Sequence, residues 1–328
     1  MRRPVATVAA LLVVLIAAPP PLAAQATHRV GQLISGRAID APGDRLQAAF
    51  VAGLGERGWT EGHNIALERR YAEGRHENFA GLANELVAQK VDVLVAWVTA
   101  AASAAQKATT TIPIVTVYIG DPVELGFADS LGRPGRNITG LTYVPAFEVY
   151  AKQVTLLKEL APGASSVGVL WNPGNPAHAM MVRQTEKGAR ALGLNFRAVP
   201  VRSPREIDAA FAELARERSA AALVVADGMF MVNRARLIQL AAEQRLPTMY
   251  GSREYVQSGG LVAYGPDQFE HARRAAHYVD RILRGARPAD LPMEQPTRLE
   301  LAVNVKTANA LGMRIPQTVL VQADHIIE

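Results

Sequence analysis

Residues 91–123 read VDVLVAWVTAAASAAQKATTTIPIVTVYIGDPV, and their pattern decides the fold. Residues 91–97 form an almost continuous apolar run, which is typical of a strand buried on both faces of a parallel sheet. The alanine-rich segment 100–109 predicts a helix, and the apolar run 112–119 predicts a second buried strand. A helix between parallel strands is the crossover that such a sheet requires. The stretch therefore predicts a β–α–β unit.

The same alternation continues on both sides of this unit. Asp44 is suited to cap a helix that carries Leu46, Phe50 and Leu54 on one face. Further strands are predicted at 30–34, 65–71, 167–171, 195–201, 221–226 and 247–250, with helices between them. Two such arrays, each of about 100 residues, predict an α/β protein of two doubly wound parallel-sheet lobes.

The C-terminal part breaks this cycle. Strands are predicted at 261–264 and 299–305, a helix at 268–283, and a proline-rich connector at 285–296. If these single strands and the helix are added to both lobes, the chain crosses between the lobes several times. Such crossings predict hinge strands and a rigid-body closure of one lobe on the other. The expected divisions are a signal peptide at 1–26, an N-terminal lobe at 27–142 plus about 265–288, and a C-terminal lobe at 143–264 plus about 289–328.

The N-terminus predicts export. Two arginines precede a short apolar run, and prolines and small residues follow it, as in a signal peptide cleaved after Ala24 or Ala26. The chain has no cysteine, which excludes disulfides, thiolate metal ligands and a lipid-anchor cysteine. The net charge of +5 is mild and its arginines are scattered, so no nucleic-acid partner is expected. A free periplasmic protein follows.

The motifs of common enzyme classes are missing from the sequence. It contains no G-x-S-x-G, H-E-x-x-H or G-x-x-x-x-G-K-[ST] motif, and its seven histidines are scattered. Residues 53–58 match G-x-G-x-x-G, but they lie at the end of a predicted helix, where the dipole is wrong for a pyrophosphate. We therefore expect no catalytic residues, no metal and no cofactor.

Small and polar residues follow the predicted strands, at the edge where doubly wound sheets bind ligands. The candidate ligand-binding residues at these ends are Ser35, Gly36, Thr99, Ala100, Asp121, Pro122, Asn172, Asn175 and Asp227. Thr99 and the amides that follow it are suited to a carboxylate, and Asp121 or Asp227 to an ammonium. Each residue is equally suited to capping a helix or turn. Tyr143 and Tyr264 complete the candidates, to cover an apolar ligand part or pack the hinge.

Several of these stretches resemble one family of bacterial ABC transporter substrate-binding proteins. The matching motifs are IPIV at 112–115, GDPV at 120–123, RPGRNITG at 133–140, VLWNP at 169–173, LPTMYG at 246–251, GGL at 259–261, YGPD at 264–267, ADLP at 289–292, EQPT at 294–297, KTA at 306–308 and ALG at 310–312. The resemblance covers nearly all of the chain after the signal peptide. Where the family usually has Thr-Pro-Ala-Ala, this chain has Thr-Ala-Ala-Ala at 99–102.

The resemblance implies a type I periplasmic-binding-protein fold with three hinge strands. Some members are linked to tryptophan and tyrosine uptake, so it also implies a small-molecule ligand, an amino acid or related carboxylate, and an inner-membrane ABC permease as partner. The expected state is a monomer. A membrane sensor as partner stays open, and an enzyme or a DNA regulator on the same fold is less favoured. A regulator would need a helix-turn-helix where the signal peptide stands. The sequence does not identify the ligand.

Overall fold

Strands and helices alternate through residues 27–143 and 148–328, the part of the chain that this computed structural model describes. The predicted signal peptide lies outside the described residues. The first lobe contains β1 (His28–Ile34), α1 (Arg45–Gly55), β2 (Ile65–Tyr71), α2 (Phe79–Ala88), β3 (Val93–Val98), α3 (Thr99–Ala108), β4 (Ile114–Ile119) and β5 (Ile138–Thr142). Its sheet has the order β2-β1-β3-β4-β5, and every pairing in it is parallel.

The second lobe is built on a larger sheet with the order β12-β11-β10-β9-β8-β6-β7. Its elements are α4 (Glu148–Leu160), β6 (Ser166–Trp171), α5 (His178–Ala191), β7 (Asn195–Pro200), α6 (Ile207–Arg216), β8 (Ala221–Val224), α7 (Gly228–Val232), α8 (Arg234–Glu243), β9 (Thr248–Tyr250), α9 (Arg253–Gln257) and β10 (Val262–Pro266). After α10 (Gln268–Leu283), the chain adds β11 (Leu299–Asn304), α11 (Val305–Ala310), α12 (Gln317–Gln322) and β12 (His325–Ile327). The pairing of β10 with β11 is antiparallel, so the tail makes this sheet mixed.

Both sheets are covered on both faces, as the apolar strands require. One core cluster of the first lobe contains Val95 and Phe50 and another contains Leu94 and Leu86, because neighbouring strand residues point to opposite faces. Two further clusters flank the second sheet in the same way. The prediction of two doubly wound α/β lobes is confirmed. No helix of the described residues is long and apolar enough to cross a membrane.

The helix predicted after Asp44 shows how sequence and packing agree. The Asp44 side chain accepts hydrogen bonds from the amides of Leu46 (2.9 Å) and Gln47 (3.1 Å), which confirms the predicted cap. The glycine-rich segment 53–58 lies at the end of α1, as expected. A Cβ at Gly53 would lie 2.8 Å from the carbonyl oxygen of Arg273 on α10, so this glycine allows two helices to approach closely.

The chain passes between the lobes after β5, after β10 and after residue 294. The sequence placed the last return at about 289, but Leu291 and Met293 are buried in the two cores of the first lobe. Backbone bonds explain this, because the amide of Glu294 donates to Gly140 and its carbonyl accepts from Thr142, both at 2.9 Å. Residues 291–294 thereby extend the edge of the first sheet beside β5.

Candidate ligand-binding site

A cleft of about 840 Å³ lies between the two lobes, within the size range of small-molecule sites. The first lobe contributes the carboxyl ends of β1, β3 and β4 and the start of α1, and the second contributes the ends of β8 and β9. The start of α10 closes one side with Gln268 and Phe269. The cleft therefore lies where the strand-end rule predicts a ligand.

Two glycines permit the lobes to meet across this cleft. A Cβ at Gly228 of the second lobe would lie 2.5 Å from Ser35 Cβ of the first. A Cβ at Gly120 of the first lobe would lie 2.6 Å from Ala177 Cβ of the second. Neither glycine has a positive φ, so glycine is required at these positions by the close approach of the lobes and not by the backbone conformation. The structure is a closed arrangement of the lobes.

Six of the eleven candidate residues line the cleft: Ser35, Gly36, Thr99, Tyr143, Asn175 and Asp227. Ser35 follows β1; it is 6% exposed, and its hydroxyl has no hydrogen-bond partner among the described residues. Thr99 begins α3, where the first-turn amides lack intrahelical partners. The Thr99 hydroxyl does not cap that helix; it accepts a bond from the Gly120 amide (3.1 Å) and so ties α3 to β4.

The other five candidates lie off the cleft, each for an identifiable reason. Asp121 accepts from the amides of Val123 and Glu124 and thereby caps the turn that contains Pro122, so the structure does not place it for an ammonium. The Ala100 side chain is buried in a first-lobe core, and Tyr264 packs against a second-lobe core. Asn172 lies directly behind Asp227, with 3.5 Å between Asn172 Nδ2 and Asp227 Oδ1.

Asp227 is the centre of a buried cluster that joins the lobes. Its Oδ2 accepts from Asn175 Nδ2 (2.9 Å) and its Oδ1 from the Met229 amide (2.9 Å), which caps α7. His178 Nε2 lies 3.5 Å from Oδ2, and His76 Nε2, from the first lobe, lies 3.4 Å from Oδ1. Both oxygens of Asp227 thus have protein partners.

The charges of this cluster follow from its burial. The Asn172 amide donates to His178 Nδ1 (2.9 Å), so His178 Nε2 carries the proton and donates to the Ala226 carbonyl (3.1 Å). Burial lowers the pKa of His178, although Asp227 opposes that effect. Burial acts to raise the pKa of Asp227, but the two histidines and the hydrogen bonds to its carboxylate together lower it. The cluster therefore holds an ionised aspartate beside a neutral histidine.

Aromatic residues form much of the remaining cleft wall. Tyr143 spans the lobes, because its hydroxyl donates to the Gly251 carbonyl (2.6 Å). Trp97 and Tyr118 lie on adjacent strands with ring centroids 6.2 Å apart, and Tyr255 stacks on Tyr250 at 4.5 Å. Sequence analysis missed Trp97, Tyr118 and Tyr255 as cleft residues. The position of Trp97 and Tyr118 at the ends of buried strands is the signal that points to them.

Sequence analysis also missed Glu254, on the short helix α9. This residue lines the cleft, and both of its carboxylate oxygens are buried without a hydrogen-bond partner among the described residues. Three further cleft residues carry a buried polar atom without a partner: Gln47, Ser252 and Tyr255. Buried polar atoms are normally satisfied, and these cleft atoms are available to form hydrogen bonds with a ligand. Residues 27–143 and 148–328 contain no acidic, histidine or cysteine cluster suited to a metal ion.

Comparison with known proteins agrees with this architecture. Residues 29–327 match the model of a family described as ABC transporter substrate binding protein. A tyrosine-binding protein of Clostridioides difficile (strain R20291) is 26% identical over 271 residues, which are 83% of this chain and 77% of that protein.

Two solved structures are similar over 92% of this chain. The first, a conserved domain protein from Vibrio cholerae, is 28% identical and has a TM-score of 0.83, with 99% of that chain covered. The second, an ABC domain from Streptococcus pneumoniae in complex with L-Trp, is 25% identical and has a TM-score of 0.84, with 100% of that chain covered.

Proposed function

This chain belongs to the family of ABC transporter substrate binding proteins, and from that premise we propose that it is the periplasmic component of an importer. It would bind an amino acid or a related small carboxylate between its lobes and present it to an inner-membrane permease. The signal-peptide pattern of residues 1–26 supports export. No catalytic step is part of the proposal.

The observation that carries the proposal is the closed cleft with unsatisfied polar atoms on both walls. Ser35 and the first amides of α3 present hydrogen-bond donors where the positive end of a helix dipole favours a carboxylate. Tyr255 and Trp97 supply apolar ring surface in the same cleft. The relatives point the same way, since one is a tyrosine-binding protein and another was solved with L-Trp.

The proposed mechanism is closure on the ligand. A ligand that touches both walls binds the closed form more tightly than the open form, and it therefore shifts the population toward closure. The permease would then distinguish the loaded, closed protein from the empty, open one. Gly120 and Gly228 contribute to this step because they leave room for the lobes to meet.

Native mass spectrometry of the protein as purified, followed by a thermal-shift screen of amino acids and small carboxylates, tests the proposal. Ligand at a hundredfold excess over Kd stabilises the folded protein by about 2.7 kcal/mol. We expect a clear shift with an aromatic or branched amino acid, together with a smaller radius of gyration in small-angle scattering. No shift with any compound, or a shift without compaction, would contradict the proposed clamp.

A further inference from the structure

Glu254 differs from every other carboxylate that lines the cleft. Asp44 caps α1, Asp227 is bound on both oxygens, and Asp40 is exposed at the rim. Glu254 instead has two buried oxygens without a hydrogen-bond partner, and no cation lies within ion-pair distance of it among the described residues. Its charge therefore faces the cleft uncompensated.

The nearby arginines are engaged elsewhere. Arg253 binds Glu300 (3.0 Å) and lies over the Phe269 ring, and Arg45 lies over the same ring at 4.9 Å. Arg234 donates to Ser258 and to the Met231 carbonyl. An ionised carboxylate withdrawn from water without a partner is costly, so closing the empty lobes over Glu254 is unfavourable.

The charge of Glu254 influences two tyrosines on the opposite side of the cleft, Tyr143 and Tyr118. Burial raises the pKa of Tyr143, and the charge of Glu254 raises it further. Tyr118, on β4, experiences the same two effects in the same order. Glu254, Tyr143 and Tyr118 line the same cleft, so a molecule bound beside Glu254 would lie between the two lobes.

We infer that Glu254 binds a positively charged nitrogen of the ligand and makes an amine the required part of that ligand. The inference rests on the proposed function, because it concerns the same cleft. An ammonium group has three N–H donors, and the cleft has enough unsatisfied acceptors to bind all three. The Glu254 oxygens supply two acceptors, and the hydroxyl of Ser252, which is 3% exposed, supplies another.

Asp227 does not compete for this role. Its oxygens are already bound by Asn175, Met229 and the neighbouring histidines, so an ammonium there would displace existing partners. The two groups of cleft residues then select opposite charges. Ser35 and α3 suit an anion, and Glu254 with Ser252 suits a cation, with the rings of Trp97 and Tyr255 available to an apolar part.

Four probes that share one ring system separate these contributions in a calorimetric titration. L-Tryptophan carries both charges, tryptamine only the amine, indole-3-propionate only the carboxylate, and 3-methylindole neither. We expect tryptophan to bind, tryptamine to bind more weakly, and indole-3-propionate not to bind. Binding of indole-3-propionate as tightly as tryptophan would overturn the inference and leave the proposed anion end standing. Binding of tryptamine alone would support Glu254 and refute the carboxylate part of the proposed function.

Substitution of the carboxylate itself completes the test. Glu254→Gln keeps the shape but removes the charge, and we expect it to weaken binding of tryptophan and tryptamine by about 10- to 100-fold, as loss of a charged hydrogen bond does. Glu243→Gln, an exposed change on α8 of the same lobe, is the matched control and should bind as the wild type does.

Small-angle scattering without ligand decides the case even if no probe binds. Because Glu254→Gln removes the charge that makes closure of the empty lobes unfavourable, it should be more compact without ligand than the wild type and Glu243→Gln. A radius of gyration that is unchanged or larger would show that Glu254 does not oppose closure, and this would overturn the inference.

Discussion

Asp227 and Glu254 belong to the same lobe and line the same cleft, but their surroundings are opposite. Asp227 caps α7, accepts from Asn175 and lies between histidines of both lobes. Glu254 has no partner for either oxygen among the described residues. The comparison teaches that a carboxylate in a cleft is not by itself a ligand contact. The bonds of Asp227 are already made within the protein, whereas the unsatisfied oxygens of Glu254 are the ones that we propose bind the ligand.

Replacement of Asp227 should have the largest effect on stability. Asparagine keeps one acceptor oxygen, so in Asp227→Asn its NH2 group would face the donor of either Asn175 or Met229, and that buried donor would lose its acceptor. The substitution would also remove the negative charge beside the two histidines. We expect a loss of about 2–4 kcal/mol in the free energy of unfolding, measured by chemical denaturation. A stability equal to that of the wild type would mean that the cluster does not support the fold.

Replacement of Gly228 should separate closure from folding. The Cβ of Gly228→Ala would collide with Ser35 of the opposite lobe only when the lobes meet. We expect wild-type thermal stability, a ligand affinity at least about tenfold lower, and no compaction on ligand addition in small-angle scattering. Gly55→Ala is the matched control, because nothing lies within 4 Å of a Cβ there. Normal compaction of Gly228→Ala would refute the closed arrangement described above.

The contact of His76 with Asp227 should have a smaller effect, since it forms across the lobe boundary. His76→Ala removes the 3.4 Å contact and leaves the lobe cores unchanged. We expect a several-fold loss of ligand affinity, as for a polar contact of about 1 kcal/mol, with an unchanged Tm in the absence of ligand. His63→Ala, an exposed loop change in the same lobe, should have no effect on affinity. Equal affinities of the two variants would remove His76 from the closing contacts.

The pH dependence of stability should report on the buried His178 beside Asp227. Burial lowers the pKa of His178 below its ordinary value of 6.5, so the unfolded chain binds this proton more readily than the folded one. The stability that the neutral imidazole contributes is thus present above about pH 6.5 and is lost as the pH falls below it.

We expect the free energy of unfolding, and with it Tm, to fall between pH 7 and pH 5. For one group, the free energy of unfolding should fall by no more than about 1.4 kcal/mol per pH unit. His178→Gln should show a shallower fall, whatever its starting Tm. An identical slope in the variant would assign the dependence to other groups, of which His271 is the first, because burial lowers its pKa also.

Much of the fold could be predicted from local pattern. The buried strands and the helix capped by Asp44 follow from apolar runs and capping chemistry. The strand β5 was missed because its five residues contain Gly140 and follow a glycine- and proline-rich loop. Residues 291–294 lie beside the first lobe because backbone bonds to β5, and not composition, hold that segment there.

The candidate site was predictable only where topology determines it. The strand-end rule located Ser35, Thr99 and Asp227, because parallel strands bring their carboxyl ends to one edge. It could not distinguish Asp227 from Glu254, since the partners of a carboxylate are a property of the folded molecule. Glu254 was missed for a second reason, namely that the five-residue helix α9 is too short for its periodicity to show.

The most direct test of this account is the Tm of wild type, Asp227→Asn and Glu254→Gln, measured side by side without ligand and with saturating L-tryptophan. The account predicts that Asp227→Asn melts lower than the wild type but keeps its ligand-induced shift, whereas Glu254→Gln melts as the wild type does without ligand and has a clearly smaller ligand-induced shift. The reverse pattern, with the shift lost in Asp227→Asn and kept in Glu254→Gln, would contradict it and make Asp227 the residue that binds the ligand.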